Sequence, residues 1–519
     1  MLFNSYTFLF IYLPIVLAGF FLIGHHHRGA AAFWLFGASV VFYGMWDIAY
    51  VPLLLGSIAF NYTVGLTLAR CVQAGQQVQA RWLIRFGVIS NLCLLGYYKY
   101  ANFFVTSSGA LLGESWSIET IVLPIGISFF TFTQIAFLVD AYRGEVRETN
   151  PVHYGLFVTY FPHLIAGPVL HHKEMMPQFA QSNTYLPRWE NFAAGIAIFS
   201  IGLFKKVVVA DGIAPFSSPA FNAAAAGQSL SFLEAWGGAL AYSFQLYFDF
   251  SAYSDMAIGL SRMFGVRLPL NFNSPYKAIN IIEFWRRWHM TLSRFLRDYL
   301  YIYLGGNRKG TWRRYLNLFL TMLLGGLWHG AGWTFVAWGA LHGVYLMINH
   351  GWRALRLRWG HDLQATSTVG LRFSTGITFL SVVVAWVFFR AQDMTAATAM
   401  LQAMAGMNGL VLPEQVLSSS LIDLLAQWGI RGGEFTAYSH ISSAPSKMLF
   451  GLLLCSVLVW WFPNSQEILV DHQPALARVA STSRIRWRPG FAWTLVTSLT
   501  LFYALTEMGD VSEFLYFQF

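Results

Sequence analysis

The histidine at position 329 is the residue of this sequence with the clearest potential for chemistry. It lies inside the apolar segment Leu323–Gly343, which reads LLGGLWHGAGWTFVAWGALHG. An ionisable residue within an apolar span is costly to bury, so its presence predicts a functional site. A desolvated imidazole stays neutral and can accept a proton from a hydroxyl group, as a general base does. The simpler interpretation is a structural histidine that is hydrogen-bonded to a neighbouring helix.

Several glycines accompany this histidine. Because glycine allows close backbone approach and irregular backbone angles, we predict close packing or a departure from the regular helix around His329. Two later histidines of the same region, His342 and His350, are expected to be structural. The glycines nearest to His329 are Gly325, Gly326, Gly330 and Gly332.

A second histidine, His289, lies in the segment Asn271–Gly306, which combines tryptophan with a high density of arginine. We predict an amphipathic helix at the membrane surface, in which Glu283 can pair with Arg287. The alternative is a helix that only binds lipid, with His289 packed beside the tryptophans. The two faces of this helix are expected to hold Trp285, Trp288 and His289 on one side, and Arg287, Arg294 and Arg297 on the other.

Positive charge is concentrated between Arg262 and Arg314, where eleven basic residues stand against two acidic ones. A single basic face beside a membrane fits anionic lipid head groups or an anionic cytosolic donor better than it fits nucleic acid. The three cysteines share no close spacing, so we predict neither a disulfide framework nor a metal site. A polar cluster between Asp249 and Asp255 follows an apolar span and could line a site or form a tertiary hydrogen-bond network.

The elements that position these residues must lie in a membrane. Hydrophobic residues make up 56% of the chain and charged residues only 11%, against about 25% charged residues in soluble proteins. Apolar runs long enough to cross a hydrocarbon core of ~30 Å recur along the chain, so we predict an all-α polytopic bundle of about 11–13 spans. The predicted spans are Phe8–Gly24, Ala31–Tyr50, Val51–Ala69, Leu83–Phe104, Ile121–Val139, Phe192–Val209, Phe232–Phe250, Tyr315–Trp328, Trp333–Asn349, Leu371–Phe389, Met448–Phe462 and Phe491–Leu505.

One apolar segment, His153–Leu170, is interrupted by prolines and glycine, and we predict a re-entrant segment there instead of a clean span. The first stretch, Phe8–Gly24, lacks the basic start and the cleavage site of a signal peptide, so we expect it to be retained.

The loop charges predict an orientation by the positive-inside rule. Basic loops are placed in the cytoplasm, and the loops poor in Lys and Arg, Thr106–Glu119 and Ala391–Lys447, are placed outside, with the N-terminus also outside. The loop 391–447 is expected to hold a short helix around Ala396–Ala405, within a single membrane domain that spans residues 1–519. The basic loops are Arg70–Arg85, Arg143–Arg147, Arg262–Arg314, Arg353–Arg358 and Arg478–Arg488.

An ordered series of motifs closely resembles the membrane-bound O-acyltransferase (MBOAT) superfamily, in particular its bacterial alginate O-acetyltransferase branch. The resemblance extends over nearly the whole chain. The motifs are MLFNSYTFLFIYLP at the start, LPIGISFFTFTQIAFLVDAYRG at Leu123–Gly144, YFPHLIAGPV at Tyr160–Val169, LYFDFSAYSDMAIGLSRMFG at Leu246–Gly265, FWRRWHMTLSRFLRDYLYIYLGGNR at Phe284–Arg308, LWHGAGWTFVAWGALHG at Leu327–Gly343, WVFFRA at Trp386–Ala391 and the terminal FLYFQF.

The resemblance implies an MBOAT fold and assigns the essential intramembrane histidine of the family to His329 and its second polar position to His289. It implies that His329 is the base and that His289 orients a substrate or polarises the thioester carbonyl. The acyl donor, acetyl-coenzyme A, would enter from the cytoplasm without any permanently bound cofactor. Its phosphates would be attracted by basic residues such as Arg286, Arg287 and Arg294, although a solvated cytoplasmic loop explains the same charges.

The resemblance further implies a bacterial inner-membrane enzyme that contacts lipids and acetylates an exopolysaccharide such as alginate or cellulose. It would act with an extracytoplasmic acetyltransferase partner and, as a further option, with the polysaccharide acceptor itself. Three alternatives stay open: peptidoglycan acetylation, transfer of D-alanine or another acyl group from a carrier protein, and a polytopic transporter or flippase. We find no inverted internal repeat of the kind that a transporter would carry.

Overall fold

The structure is a computed structural model that describes residues 1–165, 167–363, 367–414, 427, 430–509 and 514–515. Within these residues, the chain is predominantly helical and contains one two-stranded parallel sheet, β1 Leu410–Pro413 and β2 Ile430–Gly433. The α-helices are α1 Leu13–His26, α2 Arg28–Gly44, α3 Val51–Gln73, α4 Gln77–Leu95, α5 Ala101–Leu111, α6 Ile127–Tyr142, α7 Pro151–Thr159, α8 Phe161–Leu164, α9 His172–Ala180, α10 Trp189–Phe204, α11 Asp211–Ile213, α12 Ser218–Ala225, α13 Phe232–Met263, α14 Ile281–Trp285, α15 Met290–Phe295, α16 Gly310–His329, α17 Trp333–Arg358, α18 Thr368–Arg390, α19 Met394–Met404, α20 Ala444–Trp460, α21 Ser465–Ile468 and α22 Phe491–Thr506.

Among the described residues, five helical stretches are long and apolar enough to cross a membrane, and three shorter apolar helices accompany them. The predicted polytopic helical fold is therefore confirmed. The remaining predicted spans match neither the five long stretches nor the three shorter helices; they fall on helices α2, α13, α16 and α17. The five long stretches are Phe8–His26, Ile48–Gln73, Gln77–Leu111, Trp189–Ala225 and Thr368–Arg390, and the three shorter helices are Ile127–Tyr142, Ala444–Trp460 and Phe491–Thr506.

The chain forms two compact units. The boundary between them falls within helix α13, so each unit contains one part of that helix. The first unit consists of Met1–Phe204, Ala252–Asn271 and Ser465–Gln518, and the second contains Lys205–Ser251 and Phe272–Asn464.

In the first unit, buried side-chain amides join helices α3 and α4. Asn61 and Asn91 exchange hydrogen bonds, with Nδ2 to Oδ1 distances of 3.1 and 2.7 Å. Helix α6 joins α3 through Gln134, whose Nε2 donates to Ser57 Oγ at 2.9 Å. Such bonds hold helices together where lipid provides no hydrophobic driving force between them.

The predicted interruption of the segment His153–Leu170 is present in this unit. Helix α7 ends before Tyr160, whose backbone leaves the helical region at φ −49° and ψ 110°, and α8 begins with Phe161 and Pro162. The residues of α7 from His153 to Thr159 and all four residues of α8 are buried, so protein surrounds the broken backbone.

In the second unit, helices α16 and α17 form a hairpin with direct contact between their backbones. A Cβ atom placed on Gly339 would lie 3.1 Å from the Cα atom of Gly326 and 2.5 Å from the carbonyl oxygen of Met322. A Cβ atom on Gly343 would lie 3.1 Å from the Cα atom of Phe319. The close packing predicted from the glycines is thus confirmed, and it fixes the position of His329 at the end of α16.

The segment 391–447 begins with helix α19, which confirms the short helix predicted around Ala396–Ala405. Asp393 caps this helix by accepting a hydrogen bond from the backbone N–H of Ala396 at 2.8 Å, a typical way to begin a helix. The strands β1 and β2 were not predicted. Residues 415–426 and 428–429 of this segment lie outside the described residues, as do four residues of the terminal FLYFQF motif.

Candidate active site

His329 is the last residue of helix α16, and its side chain is only 5% exposed. Gly330 ends the helix in an extended conformation, and Gly332 begins α17 after a tight connection. The predicted irregularity at His329 is therefore present. The C-terminal end of a helix carries partial negative charge, so an imidazole at this position is stabilised when it becomes positively charged.

His289 lies at a break in the backbone, and the predicted continuous amphipathic helix is wrong at this point. Helix α14 ends at Trp285, α15 begins at Met290, and His289 has φ 43° and ψ 51°, in the left-handed region. In an unbroken helix, Arg286 and His289 would share a face at i,i+3 spacing. The break lets His289 be fully buried while Arg286 stays exposed.

The left-handed conformation of His289 costs about 1–2 kcal/mol for a residue with a side chain. Neighbouring hydrogen bonds hold it in place: the carbonyl of Arg287 accepts from the backbone N–H of Asn273 at 2.9 Å, and the carbonyl of His289 accepts from that of Ser293 at 2.9 Å. Strain of this kind is kept where the surrounding structure enforces it, often at functional sites.

The two histidines predicted as site residues lie next to each other in the second unit. Their ring centres are 6.2 Å apart, and the indole of Trp328 contacts both rings, at 4.9 Å from His329 and 6.1 Å from His289. The ring of Phe250 meets His289 edge-on at 4.9 Å. Forty residues separate the histidines in the sequence, so the fold brings them together.

Aromatic rings enclose the other sides of His329. Trp338 and Phe389 lie 5.0 and 5.2 Å from it, and Trp386 stacks on Trp338 at 5.7 Å. All three are nearly inaccessible to solvent. A site with such walls excludes water, which strengthens electrostatic interactions with a reacting group. Trp386 and Phe389 belong to the WVFFRA motif, which sequence reasoning used for the resemblance without assigning it a role.

His342 has the structural role expected of it. Its ring is fully buried, 4.8 Å from Trp338, and its Nδ1 accepts a hydrogen bond from the indole N–H of Trp285 at 3.3 Å. This bond fixes the Nδ1 lone pair and links α17 to α14.

The three arginines predicted to attract a donor differ in their surroundings. Arg287 pairs with Glu283 at 2.6 Å, which confirms the predicted i,i+4 pair and partly neutralises this arginine. Arg286 is exposed, and Arg294 is half-buried in the last turn of α15. Arg286 is therefore the most accessible of the three to an anionic group.

Sequence reasoning missed Lys206 as a member of this region. Its ammonium group lies 2.8 Å from Asp211 and 2.8 Å from Asp249, and its side chain is 2% exposed. Asp249 directly precedes Phe250, the residue that contacts His289. The available signal was a lysine inside a predicted span. For Asp249, the network interpretation of the polar cluster is supported, and Asp255 accepts a hydrogen bond from Ser465 at 2.8 Å in the first unit.

The fold and the site define a polytopic helical membrane protein with a pair of buried histidines. The sequence model of the protein family described as "MBOAT, membrane-bound O-acyltransferase family" matches residues 74–386 of this chain. The chain belongs to this family and is an acyltransferase. The transporter interpretation loses its support.

Two similar proteins carry names that specify an acetyl group. The "peptidoglycan O-acetyltransferase" of Helicobacter pylori is 45% identical over 439 residues, which cover 79% of this chain and 81% of that protein. The "probable alginate O-acetylase AlgI" of Pseudomonas aeruginosa is 46% identical over 411 residues, 78% of this chain and 75% of that protein. The "teichoic acid D-alanyltransferase" of Streptococcus thermophilus is 28% identical over 44% of this chain.

Proposed function

We propose that this protein transfers acetyl groups from acetyl-coenzyme A in the cytoplasm across the bacterial inner membrane, for O-acetylation of an exopolysaccharide. The observation that carries this proposal is the burial of His329 beside His289 within walls of aromatic rings. Relatives of similar length whose names specify O-acetylation support the acetyl group as cargo.

His329 acts as the general base in the proposed reaction. An acceptor hydroxyl attacks the thioester carbonyl and gives its proton to His329, while the new C–O bond forms and the carbonyl oxygen becomes an oxyanion. The intermediate collapses by breaking the C–S bond, and His329 returns the proton to the leaving thiolate. The products are the acetyl ester and the free thiol, and the end of α16 stabilises the transient imidazolium.

The oxyanion needs a hydrogen-bond donor within the enclosed site. Two side chains near His329 meet this need. His289 can donate from its ring and orient the thioester. The indole N–H of Trp338 is buried and has no hydrogen-bond partner among the described residues, so it is available to a carbonyl oxygen beside His329.

The donor phosphates would be attracted by the basic face that contains Arg286, Arg287 and Arg294. Arg286 contributes most, because it is exposed and because Arg287 is already paired with Glu283. Since these arginines lie within the basic loop Arg262–Arg314, the positive-inside rule places them on the cytoplasmic side and the N-terminus outside.

The acetyl group would pass to an extracytoplasmic acetyltransferase that completes transfer to the polymer, or directly to the polysaccharide. Alginate and cellulose are the leading polymers. Peptidoglycan is the second candidate, because a protein named for that activity is 45% identical over most of this chain. D-alanyl transfer has less support, since the similarity to that branch covers less than half of the chain.

A substitution at His329 tests the proposal. Purified wild-type protein, His329→Ala and the matched control His350→Ala are incubated with acetyl-coenzyme A carrying a labelled acetyl group and with polysaccharide or partner acceptors. We expect acceptor labelling by the wild type and by the control, and a loss of about 10²–10⁴-fold for His329→Ala, the usual contribution of a general base.

The same variants are then expressed in the source cells, where acetylation and export of the polymer are measured separately. Lost acetylation with normal protein level and normal export supports the enzyme. Normal acetylation by His329→Ala would remove this residue from the mechanism. Labelling only from a D-alanyl carrier protein would replace acetyl by D-alanine as the cargo.

A further inference from the structure

A groove in the second unit runs between helices α17 and α18 and encloses a cavity of about 590 Å³. On α17 it is lined at helical spacing from Tyr345 through Ile348 and Trp352 to Arg356, and on α18 by residues that include Phe373 and Ile377. Several of its apolar side chains are more than half exposed: Ile348, Trp352 and Phe373. The groove therefore opens sideways from the unit and offers an apolar surface.

The length of the groove matches one leaflet of a bilayer. From Tyr345 to Arg356, α17 advances about 16 Å at 1.5 Å per residue, roughly half of the ~30 Å hydrocarbon core. A lipid acyl chain that enters from one side of the membrane fits a groove of this length.

The end of the groove at Arg356 has the properties of a head-group region. Trp352 and Trp359 contact each other with ring centres 6.0 Å apart and are both more than half exposed. Tryptophans of this kind are enriched where the bilayer meets water. The groove thus places its charged end at the level of the lipid head groups.

The charge at this end is strongly positive. Between positions 352 and 372 the sequence holds four arginines and one acidic residue, Asp362. Arg356 lines the groove, and its Nη2 donates to the backbone carbonyl of Asp362 at 3.3 Å, which leaves its charge available. Clusters of four or more basic residues beside a membrane helix attract anionic lipids. The four are Arg353, Arg356, Arg358 and Arg372.

We propose that this groove binds an anionic phospholipid of the cytoplasmic leaflet, with one acyl chain between α17 and α18 and the phosphate at Arg356. The choice of leaflet rests on the orientation proposed above; the binding site itself does not depend on acetyl transfer. The inner end of the groove is coupled to the active site through Tyr345, whose ring lies 5.8 Å from that of His342. A bound lipid would hold this wall of the site in place.

The test measures lipid retention by the full-length protein. Wild type and variants are purified from nanodiscs of phosphatidylcholine with and without phosphatidylglycerol, and the bound lipids are counted by native mass spectrometry. Ile377→Trp fills the groove and Arg356→Gln removes the cation. Leu453→Trp, on the exposed apolar face of α20, is the control for the added indole.

We expect the wild type and the control to retain phosphatidylglycerol, and Arg356→Gln to retain about fivefold less, the effect of one basic residue at a charged membrane surface. Ile377→Trp should also retain less than the control, because the indole occupies the place of the acyl chain. Thermal unfolding of both variants checks that they are folded. Equal retention by all variants would mean ordinary boundary lipid and overturn the proposal. Displacement of the lipid by acetyl-coenzyme A would also overturn it, in favour of a donor site. His329→Ala should retain lipid normally, which separates this proposal from the catalytic one.

Discussion

The ammonium group of Lys206 and the carboxylate of Asp249 lie 2.8 Å apart, and both side chains are 2% exposed. Lys206 belongs to the π-helical segment Lys205–Ala210, and Asp249 lies in α13 next to Phe250. This ion pair therefore fixes the part of α13 that contacts His289. It acts as a positioning element through Phe250, which follows Asp249 and whose ring meets that of His289 edge-on at 4.9 Å.

Replacing Lys206 by Met should remove the ion-pair partner of the buried carboxylate of Asp249. The expected loss of stability is about 3–5 kcal/mol, as is usual when one partner of a buried ion pair is removed. Thermal unfolding in detergent measures it. Lys447→Met, at an exposed lysine, is the control and should unfold near the wild-type temperature. An unchanged unfolding temperature for Lys206→Met would show that the pair contributes nothing to the fold.

Substitutions at His289 should separate backbone strain from chemistry. Asparagine tolerates the left-handed conformation better than other residues with a side chain, whereas valine does not. His289→Asn is expected to fold like the wild type and to lose activity. The free energy of unfolding of His289→Val should be about 1–3 kcal/mol lower than that of His289→Asn. Unfolding temperatures and acetyl transfer are measured on both. Equal stability of the two variants would argue against strain at this position.

Trp338→Phe should impair catalysis with little effect on stability. Phenylalanine keeps the ring against His329 but removes the buried N–H that has no partner among the described residues. If that N–H stabilises the oxyanion, kcat should fall by about 10²–10³ with KM unchanged. The control is Trp386→Phe, which removes an N–H that donates to the hydroxyl of Tyr276 at 3.2 Å. Similar kinetics for both variants would remove the proposed role of Trp338.

Gly326→Leu should disrupt the α16–α17 hairpin. A side chain at this position collides with the backbone of Phe335 and Gly339, which cannot move aside as a flexible side chain can. We expect poor folding and protease sensitivity. Gly351→Ala, on α17 where a Cβ atom meets nothing within 4 Å, should be neutral or stabilising by up to ~1 kcal/mol because alanine favours helix. Normal folding of Gly326→Leu would contradict the backbone contact.

Stability should depend on pH through His172 in the first unit. Burial, followed by the positive charge of Lys173, lowers the pKa of His172 from 6.5 to about 4. Between these two pH values the unfolded chain binds a proton that the folded protein does not. The contribution of His172 to the free energy of unfolding is therefore fully present above about pH 6.5 and falls as the pH decreases towards 4.

His172→Asn should remove that part of the pH dependence, as measured by thermal unfolding between pH 4 and 7. His440→Asn, at an exposed histidine, serves as the control and should keep it. If both variants follow the wild-type curve, His172 does not carry the effect.

The composition and the length of the apolar runs were sufficient to predict the helical membrane fold, because segments that cross the hydrocarbon core must be apolar over its full width. His329 could be identified from its apolar context, and the glycines around it predicted close packing or an irregular backbone there. The break at His289 could not be predicted, since helical periodicity continues through Trp285 and Trp288 and the left-handed conformation depends on tertiary hydrogen bonds. The pairing of Lys206 with Asp249 could not be predicted because the two residues are distant in the sequence, although a lysine inside a predicted span was itself a signal.

The glycine contact between α16 and α17 has a consequence for how substrates reach His329. Two backbones that touch without intervening side chains cannot slide or separate without losing the whole interface. The helix that carries His329 should therefore keep its position during turnover. If the site opens to admit a substrate, we expect the segment Arg286–His289 to move instead, because releasing the strained left-handed backbone of His289 would offset part of the cost of breaking its hydrogen bonds.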